Sequence, residues 1–254
     1  DFPMEAAPSL NGMPGLRRYR QWARYMQGFD LILSYNWGAM DGVMAHRLFA
    51  PFMKLPPLIH HEDGFNEDEA ERLKSKRNLF RQVALARASA LVVPSRTLEE
   101  VALGAWAQPS HRIRRIANGI DVAAYAVPPS ADAIPGFVKR EDEVVIGTLA
   151  GLRAVKNLPR LVRAVAPLGE SVRMVIVGEG PEREAIHAQA RALGIEDRVF
   201  MPGFLPNPSS YVGLFDIFAL SSVSEQFPIS LIEAMAAGLP VVSTDVGDVR
   251  NMVS

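Results

Sequence analysis

The chain has 254 residues, 48% of them hydrophobic and 22% charged, which is the make-up of a folded globular protein of one or two domains at roughly 100–200 residues each. With no cysteine there are no disulfides, thiolate metal sites or cysteine nucleophiles, and a net charge of −1 gives no basic excess for nucleic acid. No run of about 18 uncharged apolar residues is present to cross a membrane as a helix, and a cytoplasmic location fits these features.

Charge is uneven along the chain. Residues 1–126 carry 16 Lys+Arg against 13 Asp+Glu, and residues 127–254 carry 11 against 15, so the first half is the one suited to an anionic surface. Residues 15–29 (GLRRYRQWARYMQGF) have helical spacing, with Leu16, Tyr19, Trp22, Ala23 and Met26 on one face and Arg17, Arg20 and Arg24 on another. Two readings stand: a helix covering a sheet with its arginines in solvent, or one meeting an anionic acceptor or membrane interface, where arginine beside Trp and Tyr suits headgroups. Short Val-, Ile- and Leu-rich runs then follow at 30–35 (DLILSY), 57–61 (PLIHH), 90–94 (ALVVP) and 112–116. Helix-length segments lie between them at 67–87, where Asn66, Asp68 and Glu69 look like a helix start, and at 95–105, where Ser95 suits an N-cap.

The rhythm breaks at 126–140 (AVPPSADAIPGFVKR), whose three prolines and lack of periodicity predict an interdomain linker. Strands resume at 143–149, 173–177, 198–201, 216–220 and 240–244, with helices at 158–168 and 182–193. Continuous apolar strands alternating with helices predict parallel sheets buried on both faces, an α/β fold. The predicted organisation is a Rossmann-like unit over 1–125, the linker 126–140, and a second Rossmann-like, doubly wound unit over 141–254, with a cleft at the carboxyl ends of both strand sets. Ligands bind at those ends in open α/β sheets.

The segment 221–244 (SSVSEQFPISLIEAMAAGLPVVST) is the most informative. Pro228 suits the first turn of a helix, and Gly238 suits its end. The backbone N–H groups of Gln226–Ser230 thus gather at a helix N-terminus, a ready site for phosphate. Glu225 and Glu233 flank that site, and two carboxylates beside an anion fit a ligand whose anionic part sits between hydroxyl-rich groups, because carboxylates accept hydrogen bonds from hydroxyls. The acidic triplets 67–69 and 141–143 sit in polar surroundings and do not end apolar strands, so no metal site is expected.

The Glu-x7-Glu spacing, with Phe-Pro, Glu-Ala-Met-Ala-Ala-Gly-x-Pro-Val-Val and Thr-Asp-Val-Gly around it, resembles the retaining GT-B glycosyltransferases of family 4. Asn118-Gly119-Ile120-Asp121, Lys156-Asn157-Leu158, Val177-Gly178-Glu179-Gly180-Pro181 and Asp216 match further elements of that family in order, covering residues 90–250. The resemblance implies a donor that is a nucleotide-diphosphate sugar, with no cofactor and no metal. It implies that Glu225 contacts the transferred sugar and that the amides of Phe227, Pro228's neighbour Ile229, and Ser230, with Gln226 before them, hold sugar and diphosphate. Glu233 is then the ribose contact, and Arg153 and Lys156 neutralise the diphosphate as charge develops on the leaving group. Two departures stand out: Gln226 occupies a position that is usually Gly, and Gly151 the position of the usual Arg, for which Arg153 is the substitute.

In the first half, the resemblance places a sugar contact where the strand 57–61 ends, at Asp63 with His61 as the alternative. The competing reading is a strand-end capping cluster. Tyr35-Asn36-Trp37-Gly38 follows another strand and is a candidate acceptor lining. The expected reaction moves a sugar to an acceptor hydroxyl with retention of configuration, the acceptor being a glycan, a lipid-linked sugar or a small molecule. A nucleotide-sugar epimerase or phosphorylase and a non-catalytic nucleotide-sugar-binding fragment are the rivals. The family's opening strand and glycine-rich loop have no counterpart before Asp1, and Ser254 falls inside an expected helix, so the chain is expected to be incomplete at both ends.

Overall fold

The computed structural model describes residues 7–9, 12–65, 69 and 72–253. The helix start at 66–68 lies outside them. The chain divides into two compact units, Asp1–Ala117 and Asn118–Ser254.

The first unit contains α1 (Leu16–Met26), β1 (Ile32–Tyr35), α2 (Met40–Phe49), β2 (Leu58–His61), α3 (Ser75–Leu85), β3 (Ala90–Val93), α4 (Arg96–Leu103) and β4 (Ile113–Arg115). Its four strands are parallel, in the order β1-β2-β3-β4. One sheet face carries Leu58, Leu91, Val93 and Ile113 into a core with Met40, Val43, Leu85, Leu98 and Trp106. Each such side chain taken fully out of water contributes about 1.5–3 kcal/mol. Burial on both faces was expected, but Leu33 and Tyr35 on the opposite face of β1 are more than half exposed, because the described helices of this core pack against the other side. Ser95 caps α4 as expected, its hydroxyl accepting from the Leu98 N–H at 3.0 Å.

The second unit contains β5 (Val144–Leu149), α5 (Leu158–Val165), β6 (Val172–Val177), α6 (Arg183–Ala192), β7 (Val199–Gly203), β8 (Ile217–Leu220), α7 (Ile229–Ala236), β9 (Val241–Ser243) and α8 (Val249–Met252). The parallel sheet runs β7-β6-β5-β8-β9, so the strands stand in the order third, second, first, fourth, fifth of a Rossmann sheet. Leu158, Leu161, Val162 and Val165 recur at i, i+3, i+4 and i+7, and this stripe buries α5 against Ile146, Met174 and Ile176. Val145, Val175 and Val177 enter a second core on the opposite sheet face, so this sheet is covered on both sides.

Residues 126–140, expected as a linker, pack with the second unit. Ile134 and Phe137 are fully buried among Val145, Val175 and Phe215. Two isolated apolar anchors on either side of Pro135 create no periodicity, yet they tie the segment down.

Candidate functional site

The strand order of the second unit reverses between β5 and β8, and a pocket of about 440 Å³ opens at their carboxyl ends. Leu149–Gly151 at the end of β5, Gly178 and Glu179 after β6, and Ser230 and Glu233 on α7 line it. Phe204, Leu205, Pro208 and Tyr211 give it an apolar wall. Gly178 sits at φ +142°, and a Cβ there would come within 1.9 Å of the Ala150 carbonyl oxygen, so glycine is needed for the two loops to meet at the pocket floor.

The segment 221–244 folds much as its sequence predicts. Pro228 is the N-cap of α7, and Gly238, at φ +73°, follows the helix and donates to the Met235 carbonyl at 3.0 Å. The Leu231 N–H already donates to the Pro228 carbonyl at 3.2 Å, which leaves the N–H groups of Ile229 and Ser230 as the first-turn donors without an intrahelical acceptor. Ser230 and Glu233 reach the pocket; Pro228 is buried, and Ile229 is exposed. Phe227 and Gln226 are half-buried, and the Gln226 Oε1 atom is buried without a hydrogen-bond partner among the described residues.

Lys156 and Glu225 meet directly. Lys156 Nζ lies 2.5 Å from Glu225 Oε1, and the Ser222 hydroxyl donates to the same oxygen at 2.6 Å. Lys156 is presented by a tight turn, Ala154–Lys156, that ends at Asn157 in the left-handed conformation at φ +48°. The Ser221 hydroxyl pins that turn by donating to the Lys156 and Asn157 carbonyls at 2.8 and 3.2 Å. Below the Glu225 loop, Gly247 at φ +55° packs so closely that a Cβ would stand 2.5 Å from the Glu225 carbonyl oxygen. The Thr-Asp-Val-Gly element is therefore a floor for Glu225. Arg153 is exposed, and its Nε lies 3.8 Å from where a Cβ on Gly151 would be, so its side chain folds back over that position.

Glu233 is half-buried, and the Tyr125 hydroxyl donates to its Oε1 at 3.0 Å. Burial pushes its carboxyl above the ordinary glutamate range, and the Tyr125 hydrogen bond pulls part of the way back. Tyr211 is pushed up by its own burial and by the nearby Glu233 charge. Tyr125, Tyr211 and Ser222 are missing from the sequence-based site, since each gains its meaning only from a partner distant in the chain or from a turn.

In the first unit, Asp63 and His61 come together at the end of β2, with His61 Nε2 3.9 Å from Asp63 Oδ1. The Tyr35 hydroxyl donates to Asp63 Oδ2 at 2.7 Å, and the Asp63 N–H donates to Asn36 Oδ1 at 2.7 Å. Asn36 reaches that bond at φ +55°. Trp37 does not join them; Arg77 and Arg81 stack on its ring at 5.0 and 4.8 Å.

In the acidic triplets, Glu141 and Asp142 are exposed as expected, but Glu69 and Glu143 are not. Glu69 is buried against Arg77 at 2.9 Å and Arg81 at 3.5 Å, and Glu143 is buried against Arg173 at 3.1 Å. Glu69 is paired with two guanidinium groups and Glu143 with one; Glu67 and Asp68 lie outside the described residues.

Residues 131–254 match the model of the family Glycosyl transferases group 1. The chain is 30% identical over 148 residues to the N-acetyl-alpha-D-glucosaminyl L-malate synthase of Bacillus anthracis, a match covering 58% of this chain and 39% of that protein. It is 34% identical over 149 residues to the 2-deoxystreptamine glucosyltransferase of Streptomyces kanamyceticus, covering 53% and 38%. The chain thus spans less than half the length of these relatives in the matched region. The crystal structure of Anabaena HepE in complex with UDP superimposes with a TM-score of 0.78 at 22% identity, over 94% of this chain and 66% of that one. The chain therefore has the α/β fold of the GT-B glycosyltransferases, and the residues that match the glycosyl transferases group 1 model all lie in its second unit.

Proposed function

We propose that the chain is part of a glycosyltransferase of the retaining family 4 type, which moves a sugar from a nucleotide-diphosphate donor to an acceptor hydroxyl. The observation that carries the reading is one helix, α7, with Ser230 and Glu233 in the pocket and the Lys156–Glu225 pair held just before its start. In this reading Glu233 accepts from the ribose hydroxyls, and the amides of Phe227, Ile229 and Ser230 meet the diphosphate. Lys156, with Arg153, stabilises the negative charge that grows on the leaving nucleotide. A cation beside a helix N-terminus does what a divalent metal does elsewhere, so no metal is required. Glu225 contacts the transferred sugar, and on the first unit Asp63 and His61 are the proposed sugar contacts. The acceptor hydroxyl attacks the anomeric carbon from the face the nucleotide leaves, and a donor phosphate oxygen takes its proton. No protein nucleophile is used.

A peripheral contact with an anionic membrane belongs to the same proposal. Its support is a pocket of about 520 Å³ in which Arg17 and Arg20 stand among Leu16, Phe49, Phe52 and Met53. Phe52, rather than the half-buried Trp22, is the exposed aromatic there.

Proton NMR of the whole protein incubated with nucleotide sugars, with and without glycan and lipid-linked acceptors, tests the main reading. Release of nucleoside diphosphate with a product of unchanged anomeric configuration supports it. Interconversion of the donor without acceptor would favour an epimerase, and an inverted product would refute retention.

A further inference from the structure

The geometry points to Tyr125 as the residue that positions Glu233, and thereby sets the preference of the pocket for a ribose diol over a 2′-deoxyribose. This inference rests on the reading of Glu233 as the ribose contact.

The observations begin 108 residues upstream of Glu233. Asp121 closes the Asn-Gly-Ile-Asp element by accepting the Ala123 N–H at 3.1 Å, which starts the short turn Val122–Tyr125. That turn packs against α7 and delivers the Tyr125 hydroxyl to Glu233 Oε1 at 3.0 Å. Tyr125 does not line the pocket, whereas Glu233 does. Glu233 Oε2 takes no hydrogen bond from any described residue. One oxygen is therefore tied from behind, and the rotamer that leaves the other for a ligand is fixed before any ligand arrives.

A vicinal diol is best recognised by a carboxylate that is ionised and cannot swing, because both hydroxyls must donate to it at once. Burial works against ionisation, and the donated hydrogen bond works for it. The titratable groups facing Glu233 are Tyr125 on its turn and Tyr211 on the β7–β8 connection, and Glu179 after β6 is the other carboxylate of the pocket. No described cation pairs with Glu233. Tyr125 is thus the group that holds this carboxylate charged and still.

The test is calorimetric titration of the whole protein with the ribonucleoside diphosphates of uracil, guanine and adenine and their 2′-deoxy counterparts, from pH 4.5 to 8. Tyr125→Phe removes one oxygen and keeps the ring. It should narrow the ribo-over-deoxy preference by about three- to tenfold, the range of one lost hydrogen bond. It should also move the acid limb of binding to higher pH. In a Glu233→Gln background the same change should do neither. Should Tyr125→Phe not fold, 3-fluorotyrosine at position 125, a stronger donor, should move the acid limb to lower pH. An unchanged preference and limb in Tyr125→Phe, with the preference collapsed in Glu233→Gln, would overturn the inference while leaving Glu233 as the ribose contact. An undiminished preference in Glu233→Gln, or no binding of any nucleotide, would overturn the reading of Glu233 itself, and the inference with it.

Discussion

Lys156 Nζ and Glu225 Oε1 lie 2.5 Å apart, so the cation proposed for the diphosphate and the anion proposed for the sugar neutralise each other. Both side chains are largely buried, which makes the pair stronger than a surface ion pair. In the proposed reading a donor exchanges these partners: the diphosphate takes Lys156, and a sugar hydroxyl takes Glu225.

That exchange separates the two residues experimentally. Glu225→Gln frees Lys156, so affinity for a free nucleoside diphosphate should hold or rise, by a factor of up to about ten. Turnover of the nucleotide sugar should fall. Lys156→Ala should weaken the nucleoside diphosphate by about tenfold or more. Calorimetry and a turnover assay on both variants check this, and a Glu225→Gln protein that loses nucleotide affinity as Lys156→Ala does would contradict it.

Glu233 makes a prediction about stability and pH. Its carboxyl is raised in the folded protein by burial, so between the ordinary glutamate range and that raised value the native state holds more protons than the unfolded one. Stability contributed by this group is then present at low pH and lost as pH rises. Glu233→Gln should melt above the wild type at pH 7, and the difference should shrink toward pH 4. A thermal-melt series over that range decides it; a Glu233→Gln protein less stable at pH 7 than at pH 4, relative to wild type, would reverse the sign.

Gly247 supports Glu225 from below. Alanine there must hold φ near +55° with its Cβ 2.5 Å from the Glu225 carbonyl oxygen. The loop should shift at a cost of roughly 1–3 kcal/mol, with donor turnover falling together with stability. Chemical denaturation and the same turnover assay measure both; an unchanged Gly247→Ala protein would show that the loop is not seated on this glycine.

In the first unit, Arg81 is fully buried, with its guanidinium within 4.8–5.6 Å of the rings of Trp37, Phe65 and Trp106. Its Nε donates to Glu62 at 3.2 Å. Arg81→Met removes the only guanidinium beside buried Glu62 among the described residues, leaves it His60 Nε2 at 3.4 Å, and should destabilise by about 3–5 kcal/mol. Adding Glu62→Gln should recover part of that loss in denaturant unfolding, and no recovery would mean that the aromatic packing, not the charge, carries the stability.

What the sequence made legible follows its physics. Every strand among the described residues is short, and each lies within two residues of a predicted run. The α7 site was visible because its proline, glycine and two glutamates act within one helix and its flanks. Helix α2 left no comparable signal: Met40 and residues 42–46 are buried on all sides, so no polar face alternates with an apolar one. The arginine–aromatic cage and the burial of Glu69 and Glu143 were hidden because charged residues pair across elements. Tyr125 was hidden for the same reason, its partner lying on another element of the unit.

The most direct test of the account is whether the second unit's pocket holds a nucleoside diphosphate through Glu233 without a metal ion. Uridine, guanosine and adenosine diphosphates are titrated into the whole protein by calorimetry, with and without EDTA, and into Glu233→Ala. The account predicts that at least one binds, that chelation changes its affinity by less than about threefold, and that Glu233→Ala weakens it by about tenfold, or roughly 1.4 kcal/mol. Binding that disappears on chelation, or that is unchanged in Glu233→Ala, would contradict it.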